Sequence, residues 1–266
     1  MKLTDAQRKK FEEEGYLVFP DLFTAEEIAV LKRETDRLAA LETDHVFRAG
    51  DIATVYRCHE KVGPTASEPY HAAARLPRSL GIAEQLLGRG LYVYNSKINL
   101  KKAITGSAML WHQDYGYWKL DRMPAARAAT LMIALNDVDE IGGTLYVIPG
   151  SHRRGMQKHK PTMVGPHKQF AVEREAEIAL MRSLPAPVPL SGRAGMAAFF
   201  HCNIIHGSGQ NLSPVDRWQV YLAYNPSDNA PPQLAHDRAD YMKSRNTAPL
   251  ALMPDDALLE AARAHA

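Results

Sequence analysis

The chain predicts a mainly β fold with flanking helices, built on a double-stranded β-helix core of the jelly-roll, cupin type. Three observations carry this. From Leu91 onward the sequence breaks into short runs of strand composition punctuated by Gly and Pro, over 91–103, 108–114, 128–137, 143–149, 195–206 and 217–225. Ahead of them the periodicity is helical. At 266 residues and 45% hydrophobic content, the chain can bury one sizeable core. One catalytic domain over 1–266 is therefore expected, with a helical part over about 1–90 and a jelly-roll core over about 91–226. The core carries a lid-like insertion over about 152–191, and a C-terminal segment, 227–266, follows it.

Each element has a local reason. Tyr16-Leu-Val-Phe-Pro20 is a short strand. Thr24-Ala-Glu-Glu27 has the form of a capping box, and Ile28, Leu31, Thr35 and Leu38 recur at helical spacing as far as Leu41. Leu80 to Leu87 is a second helix, closed by Gly88. On the 91–103 strand, alternation puts Asn95, Lys97, Asn99 and Lys101 on one face, which must be either solvated or lining a wet site. The insertion from His152 to Ser191 holds a helical stretch near Val172 to Ser183 and the Pro-rich Leu184-Pro-Ala-Pro-Val-Pro189; long insertions in compact domains are often lids or binding loops. If His206 points inward, Ile204, Cys202, Phe200 and Ala198 share its face. Gly207-Ser-Gly209 is a turn signal, and a hairpin through it would carry Arg217 back towards the His206 strand, with Gln219 and Tyr221 also inward.

The chemistry lies in His112-Gln-Asp114, the distant His206, and Arg217 eleven residues beyond it. A strand repeats every two residues, so His112 and Asp114 would leave one face together, and His206 would complete three ligands on one side of a metal. Two imidazoles and one carboxylate suit Fe(II), because they hold the ion and leave positions for a chelating co-substrate and O₂. The H-x-D spacing alone is weak, since a chain with this many His residues should show roughly half an instance by accident; the strand context strengthens it. A planar, always-charged guanidinium at Arg217 could grip the distal carboxylate of 2-oxoglutarate in bidentate fashion.

Composition excludes other classes. Lys and Arg total 32 against 30 for Asp and Glu, so the charge makes no case for nucleic acid or a membrane surface as partner. Met-Lys-Leu-Thr-Asp-Ala lacks an apolar signal segment, and no run approaches a membrane span. Cys58 and Cys202 are too few for a disulfide framework, so a cytoplasmic, reducing location is expected. A small molecule is the expected partner, with monomer and homodimer both open.

Val55-Tyr-Arg-Cys-His-Glu60, Lys97-Ile-Asn-Leu-Lys-Lys102, Trp111-His-Gln-Asp114, Trp118, Met123-Pro124, Ile148-Pro-Gly-Ser-His152, Phe199-Phe200, His206-Gly-Ser208 and Arg217 together resemble the phytanoyl-CoA dioxygenase family, and within it the ectoine hydroxylases. The resemblance covers most of the chain. It implies that His112, Asp114 and His206 bind iron, that Asn99, Ser208 and Arg217 hold 2-oxoglutarate, and that Trp118 and Phe200 line the substrate pocket. Two substrate-pocket positions depart from those relatives: Asn95 replaces a Gln and Tyr221 a Phe. The segment from Tyr115 to Pro124 is also one residue shorter and less acidic. A shorter amide and an added hydroxyl predict a substrate with a polar group beyond those of ectoine.

The expected activity is hydroxylation of an unactivated C–H bond of a small polar molecule, ectoine-like, amino-acid-like or a natural-product intermediate. Asp114 argues against a halogenase, in which the carboxylate gives way to a halide. Of two other readings, a non-catalytic jelly-roll module that binds or senses a small molecule predicts no substrate-stimulated succinate. A zinc hydrolase leaves Arg217 and Ser208 without a role. His59, His152 and His201 read as structural or exposed, and Cys202 as a buried thiol.

Overall fold

The structure, a computed structural model, describes residues 1–50, 52–164, 167–232 and 239–264. The insertion and the C-terminal segment thus lie partly outside the described residues. In chain order the elements are α1 (Asp5–Glu14), β1 (Tyr16–Phe19), α2 (Ala25–Ala39), β2 (Val46–Ala49), β3 (Ile52–Tyr56), α3 (Glu68–Ala73), α4 (Leu80–Leu87), β4 (Leu91–Lys101), β5 (Met109–His112) and α5 (Asp114–Trp118). There follow β6 (Ala129–Ala134), β7 (Leu145–Val147), β8 (His159–Val164), β9 (His167–Val172), α6 (Arg174–Ser183), β10 (Val188–Pro189), β11 (Ala197–His201), β12 (His206–Ser208), β13 (Arg217–Pro226) and α7 (Ala257–Arg263).

A seven-stranded sheet in the order β1-β11-β6-β13-β4-β3-β2 faces a four-stranded sheet, β10-β7-β12-β5. Side-chain alternation explains both layers of core. Leu131 and Ile133, Phe199, Ile98, and Val220 and Leu222 project from the large sheet into a cluster shared with Ile28, Leu31 and Leu38 of α2. Their alternates Met132, Ala134, Ala198, Phe200 and Tyr221 face inward and meet Leu145 and Val147 of the small sheet. The helices therefore blanket one face of the large sheet, and its other face is left to build a cavity. Leu31 and Leu38 are wholly buried, which contributes about 1.5–3 kcal/mol each.

The capping box at Thr24 is formed: Glu27 N donates to Thr24 Oγ1 at 3.3 Å, and Thr24 N donates to Glu27 Oε2 at 2.8 Å. Thr4 and Gln7 start α1 by the same device, a helix that the sequence reading passed over. The N-terminal part is not purely helical either, since β2 and β3 extend the large sheet beside β4. These strands are short and lie among helices, so a window long enough to read periodicity averages them away.

Two expectations about connection are corrected. The residues after His206 do not form a hairpin with the strand at Arg217: β12 pairs with β5 and β7 in the small sheet, whereas β13 pairs with β4 and β6 in the large one. Arg217 thus reaches the site from the opposite sheet. The run 195–206 is also not one strand. It breaks after His201, where Cys202 N bonds to Ala128 O and Ile204 N turns back to His201 O at 2.9 Å each, so strict alternation from His206 to Phe200 does not apply. Within the insertion, α6 matches the expected helical stretch, while β8 and β9 form an unexpected two-stranded ribbon.

Candidate active site

Two strand registers build the centre. β12 and β5 pair so that His206 lies opposite His112, which brings the imidazole centroids to 4.2 Å. Asp114 joins them from the first position of α5 and not, as expected, from the strand. The middle residue of the motif explains the change. Gln113 is fully buried, donating from Nε2 to Asn203 O at 2.7 Å and accepting from Gln157 N at 2.7 Å, so the chain is pinned where it turns from β5 into the helix. One ligand atom from each of His112, Asp114 and His206 lies within 4.8 Å of the others, and no other such group occurs among the described residues.

Protonation favours a metal here. His112 Nδ1–H donates to Leu110 O at 2.8 Å and His206 Nδ1–H to Ile204 O at 3.0 Å, which leaves each Nε2 lone pair for a ligand. Burial, reinforced by His206, pushes His112 down to about 3, and burial lowers His206 too, so both rings are neutral at pH 7. Burial opposes ionisation of Asp114, but His206, Lys97 and His112 together with the Thr130 hydroxyl, 3.2 Å from Oδ2, outweigh it and hold the carboxyl below its usual range. Two neutral imidazoles and one carboxylate fit a ferrous ion.

A cavity of about 120 Å³ runs from His112 and His206 to Arg217, past Asn99, Lys101, Ser208 and Tyr221. Cross-strand register places Arg217 opposite Lys101, Gln219 opposite Asn99 and Tyr221 opposite Lys97. Arg217 is buried and its Nη1 donates to Gln219 Oε1, which also accepts from Tyr221 OH at 2.7 Å. Because a guanidinium can only donate, the Gln219 amide orientation is fixed. Arg217 Nε and Gln219 Nε2 are buried without a partner among the described atoms. Lys101 Nζ bonds to Ser208 Oγ at 2.9 Å and Gly209 O at 2.6 Å, and burial, then Arg217, pulls its amine down to about 6. A buried cluster of donors with no carboxylate of its own suits a bound carboxylate.

A second cavity, about 270 Å³, opens on the other side of the cluster and is lined by Tyr56, Asn95, Lys97, Tyr117, Trp118 and Met242 among others. The segment after residue 239 closes over it. Asn95 Nδ2 donates to Met242 O, Ser244 N to Tyr94 O at 2.7 Å and Ser244 Oγ to Glu60 Oε1 at 2.8 Å, while Lys243 Nζ lies 3.7 Å from Asp121 Oδ1. Tyr241 packs on Tyr56 with centroids 5.3 Å apart.

Of the residues singled out from the sequence, His112, Asp114 and His206 come together, Asn99, Ser208 and Arg217 line the smaller cavity, and Asn95 and Trp118 line the larger; Tyr221 lines both. Phe200 does not line either cavity; it sits in the inter-sheet core and backs His206, with centroids 5.0 Å apart. The Tyr221 hydroxyl, expected to need a partner from the substrate, has one in Gln219. Lys101 was visible as part of an alternating polar face, but its burial was not. Tyr56 and Tyr117 lie in stretches that the resemblance singles out but had no role assigned to them, and Thr130 and Met242 carried no local signal. Cys202 is buried, its thiol pushed up to about 12 by burial, and His59 is a buried structural residue bonded to Ser96 Oγ at 2.7 Å.

Comparison with known proteins agrees with this geometry. The chain is 30% identical over 261 residues to the ectoine dioxygenase of Nocardia farcinica, covering 92% of this chain and 86% of that protein. It is 32% identical over 236 residues to the ectoine dioxygenase of Stutzerimonas stutzeri, covering 84% and 76%. Its fold superposes on EctD from S. alaskensis with bound Fe at a TM-score of 0.80, with 26% identity over 95% of this chain and 88% of that one. EctD is also known with 2-oxoglutarate and 5-hydroxyectoine. The phytanoyl-CoA dioxygenase (PhyH) family model matches residues 11–218, so the chain belongs to the phytanoyl-CoA dioxygenase family.

Proposed function

We propose that this chain hydroxylates an unactivated C–H bond of a small polar molecule, of ectoine or amino-acid type or a natural-product intermediate, and that residues 1–266 act as a single catalytic domain. The protein is a 2-oxoglutarate-dependent dioxygenase that uses Fe(II). One observation supports the reading most strongly: two cavities meet at the His112, Asp114, His206 cluster, one ending on a buried guanidinium and the other walled by aromatics.

His112, Asp114 and His206 would hold the ferrous ion, with the Nδ1–H bonds and Thr130 fixing their orientation. Arg217 would take the far carboxylate of 2-oxoglutarate, its fork aimed by Gln219, with Ser208 and Asn99 beside it. The bound ion, with 2-oxoglutarate and O₂, supplies the oxidation: succinate and CO₂ leave, and one oxygen atom goes to the substrate as hydroxyl. Trp118, Tyr117 and Tyr56 line the substrate cavity, and Met242 covers it, which limits water there. A cytoplasmic, reducing setting suits two buried free thiols and a ferrous site, and no described helix is long and apolar enough to cross a membrane.

Anaerobic loading with Fe(II) and 2-oxoglutarate tests the reading. A visible charge-transfer band should form, and admission of O₂ with ectoine and a panel of amino acids should release succinate in step with a hydroxylated product. Succinate release that no panel member stimulates, or a band that survives His206→Ala, would count against it.

A further inference from the structure

We infer that His159 is a positioning residue for the iron centre: its ring nitrogen accepts the backbone N–H of Gln113 and so fixes the turn from which Asp114 leaves β5. The inference rests on the dioxygenase reading above and gives the insertion a part in it.

β5 is the edge strand of the small sheet, bonded to β12 on one side only. Donors along its free edge need partners wherever they are covered, and the β8–β9 ribbon meets them with side chains. Leu110 N donates to Gln169 Oε1 at 2.8 Å, and Gln169 Nε2 donates to Ala108 O at 2.9 Å. Leu110 is also the residue whose carbonyl orients His112. Further along, Gln113 N donates to His159 Nε2 at 3.1 Å. Gln113 is fully buried and stands between the end of β5 and the start of α5, so neither the ladder nor the helix supplies its N–H with an acceptor. Without the imidazole, a buried donor would be stranded between two metal ligands.

The ring is held in the form this requires. His159 Nδ1–H donates to Gln157 O at 2.9 Å, which leaves the Nε2 lone pair for Gln113, and burial lowers the ring's pKa, which keeps that lone pair free. Gln157 N in turn donates to Gln113 Oε1 at 2.7 Å, so the backbone and the side chain of Gln113 are tied to the same stretch of the insertion.

Gly116 makes room for the contact. A Cβ there would lie 2.8 Å from His159 Nε2 and 2.9 Å from Cε1. Gly116 sits within α5, where Ala would be the better helix former, so what the glycine supplies is space for the ring. The ring also stacks on Phe170, with centroids 5.2 Å apart and 24° between planes. Phe170 N donates to Tyr117 OH at 2.7 Å, and the Tyr117 ring meets His112 at 5.8 Å between centroids. His159 thus bears on Asp114 through Gln113 and on His112 through Phe170 and Tyr117. Packing alone requires neither a fixed tautomer nor a lone pair aimed at the Gln113 amide.

Anaerobic Fe(II) titration of the apoprotein, with a denaturant melt on each variant, tests this. His159→Phe keeps an aromatic ring against Phe170 but has no acceptor, and should weaken Fe(II) binding about 10 to 100-fold. His159→Gln sets a carbonyl oxygen near the place of Nε2 and should bind Fe(II) within about threefold of wild type. Gly116→Ala leaves His159 in the chain but takes its room, and should weaken Fe(II) binding as His159→Phe does; it decides the matter if His159→Phe does not fold. The inference is overturned if either weakening variant, once folded, binds Fe(II) within about threefold of wild type. It is equally overturned if His159→Gln binds as weakly as His159→Phe, which would make the shape of the ring, and not its acceptor, what counts. Failure of wild type to bind Fe(II) would instead sink the dioxygenase reading.

Discussion

His206 Nε2 stands 3.8 Å from Asp114 Oδ1, although one residue opens a strand and the other opens a helix. Strand register places the histidine, and the buried Gln113 amide places the aspartate, so the ligands are held by separate parts of the fold. Replacing a ligand should therefore remove metal and spare structure. His112→Ala or His206→Ala should lose iron and all substrate-dependent succinate, with a stability change of about 1–2 kcal/mol at most. Iron content and a denaturant melt on the same sample check both halves.

Arg217→Ala removes a charge-assisted pair worth about 2–4 kcal/mol, so the apparent constant for 2-oxoglutarate should rise roughly 30 to 1,000-fold. An unchanged constant would mean that another residue grips the far carboxylate.

Tyr221→Phe separates two readings of one hydroxyl. Since the hydroxyl donates to Gln219 Oε1, which also receives Arg217, its loss should loosen the guanidinium. The constant for 2-oxoglutarate should rise about 3 to 10-fold, as for one neutral hydrogen bond, with little change in preference among substrates. Steady-state titration of each in turn distinguishes this from a hydroxyl that reads the substrate, as the sequence alone suggested.

What the sequence disclosed follows the range of the forces involved. The β4 polar face was legible because alternation is local, and so was the capping box at Thr24. The side from which Arg217 approaches was not, because residues 209–216 can lead either to a hairpin or across to the other sheet, and sheet pairing decides which. Phe200 was placed on His206's face by counting twos through a strand that in fact breaks at Cys202, yet the turn brings the rings together anyway. Met242 was invisible for another reason: nothing near it in sequence says that the chain returns over the cavity.

Lys101 makes a pH prediction. Burial and Arg217 hold its folded pKa at about 6, well below the ordinary lysine value, so between those two values the unfolded chain binds a proton that the folded apoprotein does not. Stability of the apoprotein should rise with pH from about 6 towards 10, and Lys101→Met should flatten that rise. A carboxylate bound beside the amine favours its charged form, so 2-oxoglutarate binding near pH 7.5 should take up close to one proton. Calorimetry in buffers of different ionisation enthalpy measures it, and uptake that persists in Lys101→Met would assign the proton elsewhere.

Asp121 and Lys243 fasten the segment that covers the substrate cavity. Both are buried, and Tyr94 OH also donates to the carboxylate, so the pair ties residue 243 to the turn just after Trp118. Removing one member of a buried pair leaves the other charge in a medium that solvates it poorly, which typically costs about 3–5 kcal/mol. Asp121→Ala should lose that much in a denaturant melt, and because Met242 neighbours Lys243, the substrate constant should rise while that for 2-oxoglutarate changes little. Replacing the pair with apolar residues, Asp121→Leu with Lys243→Met, removes both charges together and should recover part of the stability. If the single and double variants melt alike, the cost comes from lost packing or from the Tyr94 bond, and the ion pair is not what holds the cover closed.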